Sequence, residues 1–146
     1  MTFEELDERF PNGFDDAEIM SVRIDYLTRE GKLILSLRGN SPESPNRDEY
    51  RQAELSLYGL YYFSIEAPDP DRIFYPEQFK LTVDGLPEDP EQFPLFKRLQ
   101  SKLTPSAFCC RFYVHDWNSF IHLAAGDARF SWVDDESETK ALLSHS

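Results

Sequence analysis

Two histidines, His115 and His122, stand close together among Arg111, Tyr113, Trp117 and Phe120. Between them these side-chain types ligate metals, move protons and anchor protein partners. Whether they act together depends on whether they share a face. Antiparallel strands alternate faces with a period of two, so the position of a turn decides which side chains meet across it. A bend at Asp116-Trp117-Asn118-Ser119 sets Val114 opposite Ile121 and Phe112 opposite Leu123. A Gly126-Asp127 turn would then set Leu123 opposite Phe130 and Ile121 opposite Trp132. One face collects Phe112, Val114, Ile121, Leu123, Phe130 and Trp132, and reads as core. The other collects Arg111, Tyr113, His115, Phe120, His122, Arg129 and Ser131.

In this register His122 lies opposite Tyr113 and diagonal to His115, within reach for long side chains. Two imidazoles on one sheet face can hold a metal or exchange a proton. A metal needs a third ligand, however, and the hairpin itself supplies no carboxylate on that face, because Asp116 belongs to the bend. No catalytic residue, metal site or cofactor is therefore assigned. Recognition suits the residue types better. Arg111, Tyr113, His115, Trp117, Phe120 and His122 form the candidate binding surface, with Tyr58, Tyr61 or Tyr62 on a neighbouring strand. The competing expectation is that a helix over residues 94–103, or a second copy of the chain, covers this face.

Other clusters carry less. Asp15-Asp16-Ala17-Glu18 pairs two carboxylates that can hold a hard cation or share a proton, but after Asn12-Gly13 they more simply accept backbone hydrogen bonds in a turn. Asp84-Gly85 reads as a hairpin turn. The acidic runs at 69–71, 88–91 and 134–138 lack the alternating spacing of a calcium loop and read as solvated. Serine nucleophile elbows, phosphate-cradling glycine loops and Cys-x-x-Cys pairs are absent from the sequence. Cys109 and Cys110 are adjacent, so they point to opposite faces of a strand and read as two reduced thiols.

These residues need elements to position them. Residues 3–10 read as a short amphipathic helix with Phe3, Leu6 and Phe10 on one side, ended by Pro11-Asn12-Gly13. A strand over 18–27 puts Met20, Val22, Ile24 and Tyr26 on one face. A reversal at Glu30-Gly31 returns it over 32–38, with Leu33, Leu35 and Leu37 buried, Ile24 opposite Leu37 and Tyr26 opposite Leu35. Residues 39–48 are a loop. A long strand over 50–65 either turns a corner by a bulge or bend at Gly59 or runs straight, and a shorter one over 79–83 ends in Asp84-Gly85. Leu95, Phe96, Leu99 and Leu103 mark the helix over 94–103. The fold class is α+β and mainly antiparallel β, with about seven strands in a sandwich or strongly curved sheet and two or three short helices. Residues 1–146 form one domain, and roughly the last ten read as a mobile acidic tail.

Bulk properties narrow the function. Forty per cent hydrophobic and 14% aromatic content in 146 residues support a folded core without disulfides or metal. A net charge of −12 removes the basic face that nucleic acid requires and disfavours anionic membranes. It suits a basic protein partner, with self-association as the alternative. The opening Met1-Thr-Phe-Glu-Glu-Leu-Asp-Glu has neither a positive nor an apolar signal region, and no apolar run is long enough to span a bilayer, so a cytoplasmic protein is expected.

The segment Gly13-Phe-Asp-Asp-Ala-Glu-Ile-Met-Ser-Val-Arg-Ile-Asp-Tyr26, with Lys32-Leu-Ile-Leu-Ser-Leu-Arg38 after it, resembles the opening of several families of small bacterial β-rich proteins of unknown function. Some of these are similar to immunity proteins, which bind and neutralise a partner toxin. In that pattern a histidine often occupies the position of Asp15, so a role for it does not transfer. High acidity, the aromatic hairpin face and the absence of a catalytic motif point to a non-enzymatic protein-binding module, and the resemblance implies an immunity-like one. The alternatives are a small-ligand-binding protein, with aromatics lining a pocket, or an enzyme working from the His115/His122 face.

Overall fold

A computed structural model describes residues 1–40, 43–71, 81–88, 97–99 and 101–133. Among them the chain is mainly antiparallel β. Six strands close into a barrel in the order β1-β2-β3-β6-β5-β4, with β4 returning to β1. The strands are β1 (Ala17–Asp25), β2 (Glu30–Arg38), β3 (Tyr50–Ile65), β4 (Leu81–Pro87), β5 (Phe108–Val114) and β6 (Ser119–Trp132). One α-helix, α1 (Phe3–Asp7), precedes them, and a 3-10 turn spans His115–Trp117. Closure gives every strand two neighbours and removes the open edges that a sandwich would leave. Of the expected sandwich or strongly curved sheet, the mainly antiparallel β character holds and the sheet curves to closure; among the described residues there are six strands and little helix. Of the helix expected over 94–103, residues 94–96 and 100 lie outside the described residues; the rest is mostly turn, with the Leu99 carbonyl accepting the N–H groups of Lys102 and Leu103. The acidic tail lies outside the described residues.

Three expected turns do not form, and the missing turns explain the missing strand. Gly126-Asp127 lies inside β6, which runs unbroken because β3 pairs one edge from Ala53↔Trp132 to Ile65↔Ile121 while β5 pairs the other. Asp84-Gly85 lies inside β4. Gly85 is there for close approach, since its N–H donates to the Phe14 carbonyl at 3.2 Å and an added Cβ would stand 2.5 Å from Phe14 Cβ. Glu30-Gly31 opens β2, and the reversal occurs earlier, where Asp25 Oδ1 accepts the N–H groups of Leu27 and Thr28 and Arg29 takes φ 56°. Ile24 therefore faces Gly31 rather than Leu37. A register shift after Ile19 turns Ala17, Ile19 and Val22 to the core and leaves Met20 and Tyr26 outside.

The interior is filled by side chains. Leu33, Leu35 and Leu37 of β2, Leu55 and Leu57 of β3, Phe108 and Phe112 of β5 and Leu123 of β6 are at most 1% exposed. The amino-terminal segment plugs this core. Thr2 and Glu5 form a reciprocal cap that starts α1, leaving Phe3 and Leu6 to point inward. Phe3 stacks on Phe14 at 5.1 Å, Phe14 meets Phe112 edge-on at 5.9 Å, and Phe10 reaches Phe130 and Trp132.

Candidate functional site

Strand alternation decides which side chains reach the outer surface. In β5 Phe108, Cys110, Phe112 and Val114 are buried, so Arg111 and Tyr113 project outward. In β4 Val83 and Gly85 are buried, which turns Asp84 outward between them. Across the β5–β6 hairpin Tyr113 pairs with Phe120 and Arg111 with His122. The register differs from the sequence expectation by two residues because the 3-10 turn and Asn118, at φ 46°, make the connection shorter. A slip of two preserves which face each residue occupies.

The outer face is a line of rings. His115 lies 5.6 Å from Tyr113, Tyr113 5.3 Å from Phe120, and Phe120 5.8 Å from His122. The Arg111 guanidinium sits 5.1 Å over the Phe120 ring. The structure thus brings together Arg111, Tyr113, His115, Phe120 and His122. It removes Trp117, which packs against the core while its carbonyl accepts the Asp69 N–H. Tyr58 and Tyr61 stand apart, under the guanidinium groups of Arg129 and Arg29.

The two histidines occupy opposite ends of the line, each with its own carboxylate. His122 is nearly buried, with Nδ1 3.1 Å from Glu88 Oε2 and Nε2 3.7 Å from Glu66 Oε1. Glu66 Oε1 also accepts the Phe120 N–H at 3.0 Å. Glu88 is 6% exposed, so this member of an expected solvated run is a buried partner instead. At the other end His115 Nε2 lies 2.8 Å from Asp84 Oδ2, and Tyr113 donates its hydroxyl to Asn118 Oδ1 at 2.6 Å. Asp84 Oδ1 accepts the Asp16 N–H at 2.9 Å. One donor atom each from Asp16, Asp84 and His115 lie within 4.8 Å of one another.

Glu66 escapes sequence reasoning, and Asp16, Asp84 and Glu88, read there as turn or solvated residues, are brought to the hairpin only by packing between separate segments. The only local signal for Asp84 was its place between Val83 and Gly85, legible only once the turn there is discarded. Nearby, burial and then the negative charges of Asp84, Asp7 and Asp16 push the Asp15 carboxyl up from its ordinary range. Neither thiol is activated. Burial pushes Cys109 up to about 11, with Glu4 and Glu88 adding to it, and Cys110 is raised by complete burial.

Together these features define a small plugged antiparallel barrel carrying an aromatic, carboxylate-bordered outer face. The sequence matches no protein-family model, and neither a curated protein nor a solved structure is significantly similar to the chain. No helix among the described residues is long and apolar enough to cross a membrane.

Proposed function

We propose that this chain is a non-enzymatic protein-binding module that offers the outer face of β5 and β6 to a basic partner. The observation that carries the proposal is the line His115, Tyr113 and Phe120, capped by Arg111 and bordered by Asp84 and Glu66, with the buried His122–Glu88 pair bracing one end. Aromatic and arginine side chains supply most interface energy, and rings already packed against one another lose little freedom on binding. The bordering carboxylates and a net charge of −12 would draw a basic surface and orient it. Leucine and phenylalanine side chains fill the barrel between α1 and the strands, which favours recognition on the outside. In keeping with the resemblance of residues 13–38, the proposed partner is a toxin that the module neutralises in the bacterial cytoplasm.

The test is capture of partners on the tagged protein at low and moderate salt, followed by affinity measurement. A basic protein held stoichiometrically and released as ionic strength rises is expected. Tyr113→Ala and Phe120→Ala should each weaken it by about 1.5–3 kcal/mol without altering the far-ultraviolet circular dichroism. Affinity unchanged in both variants would move the contact elsewhere. Recovery of a second copy alone would make this face a self-association surface and end the proposal.

A further inference from the structure

We propose that Asp16, Asp84 and His115 bind one first-row divalent metal ion, with Zn2+ as the reference ligand, where β1, β4 and β5 converge. The site owes nothing to the protein-binding proposal. Its origin is topological. Ala17 pairs with Val83, so Asp16 and Asp84 are the next step along the same register. Val83 also pairs with Val114, so His115 is the residue just beyond that pair. Asp84 pairs with Tyr113, which makes His115 its diagonal neighbour on the outer face. Three donors from distant segments therefore meet at one corner, their ligand atoms within 4.8 Å of one another. A metal held at about 2.0–2.2 Å from oxygen and nitrogen donors needs them about 3–4.4 Å apart, so small side-chain rotations suffice.

The corner is also held in place. Asp16 adopts φ 54°, its N–H bonded to Asp84 Oδ1 and its carbonyl accepting the Tyr50 hydroxyl at 2.8 Å. Two carboxylates and a neutral imidazole match a dication, and Asp7 and Asp15 nearby add to the negative field. The alternative is that Asp84 and His115 only tie β4 to the end of β5. Both are about one-third exposed, however, and pairs at such sites contribute little stability. Imidazole in the donor set favours Zn2+ over Mg2+, which prefers oxygen and water. An ion here would clamp the seam where β1 and β4 share only three residue pairs.

The test is titration of the chelator-stripped full chain with ZnCl2 and, in parallel, MgCl2, by calorimetry and by thermal unfolding. One Zn2+ per chain is expected, with Tm raised by roughly 5 °C at saturation and no comparable effect of Mg2+. Asp16→Asn, chosen because asparagine tolerates left-handed backbone, and His115→Gln should each lower zinc affinity at least about tenfold. Both should leave the metal-free Tm within about 2 °C. His122→Gln should leave zinc affinity unchanged. Absence of saturable 1:1 binding, equal affinity for Mg2+, loss of zinc on His122→Gln, or unchanged affinity in both site variants would each overturn the assignment.

Discussion

The two adjacent cysteines show how burial sets chemistry residue by residue. Cys110 faces the barrel interior and Cys109 the outside, yet burial and the carboxylates of Glu4 and Glu88 hold both thiols protonated, Cys109 up to about 11. Against an ordinary thiol at 9.0, the thiolate fraction of Cys109 at pH 7.5 falls about a hundredfold. Alkylation of the native protein should accordingly be slow, accelerate about tenfold per pH unit, and level off only near pH 11; a plateau near pH 9 would contradict this environment. The same shift fixes a stability slope. The unfolded thiol ionises from about pH 9 and the folded one only near 11, so this contribution is intact below pH 9 and lost as pH rises to 11. Among the site residues, the alternation Arg111, Tyr113 and Phe120, His122 was legible because β strands enforce it. Their carboxylate partners were not, because Asp16 and Asp84 reach His115, and Glu66 and Glu88 reach His122, only through pairing of strands far apart in the sequence.

Among the elements, β3 was readable from its alternation, and its bounds at Tyr50 and Ile65 coincide with the structure. The choice the sequence left open at Gly59, bent or straight, is decided for an irregularity in the strand. Gly59 has φ 61° and lies against Gly126 of β6, and near it the β3–β6 register shifts between Leu60 and Tyr62. The β6 residues in the hydrophobic core change from odd numbers, Ile121, Leu123 and Ala125, to even ones from Ala128. That switch places Phe130 and Trp132 on the core side, as expected, but by a corner within one strand rather than a turn between two. A Cβ at Gly59 meets nothing closer than 3.8 Å, so its constraint is backbone alone. Gly59→Ala should therefore cost about 1–2 kcal/mol in urea unfolding, and Gly59→Asn distinctly less, because asparagine visits left-handed backbone. Equal losses in the two variants would show that packing, not φ, governs the corner. Glu30-Gly31, Asp84-Gly85 and Gly126-Asp127 misled for a common reason: glycine beside an acid permits a turn, while flanking strands that accept its hydrogen bonds decide against one.

For the molecule as a whole, closure and plugging form one cooperative unit. Phe14 joins the amino-terminal segment to β4 through its carbonyl and Gly85, and to β5 through Phe112. Truncation to Ala should remove about 3–5 kcal/mol. Tryptophan fluorescence and far-ultraviolet circular dichroism should then still report coincident urea transitions. Separate transitions would mean that the plug and the barrel unfold independently. The acidic charge acts at this scale too, through the field over the surface rather than through the fold.

The sequence by itself determined the β character, the inward leucines of β2 and β3, the amphipathic start of the chain, and which residues of β5 and β6 share the outer face. These follow from periodicity, which is local, and a two-residue slip leaves them intact. Tertiary structure alone decided that the sheet closes, that three glycine-acid pairs lie within strands, and that Asp16 and Asp84 meet His115. Those outcomes depend on hydrogen bonding between segments up to about a hundred residues apart, for which no short stretch of sequence carries a signal.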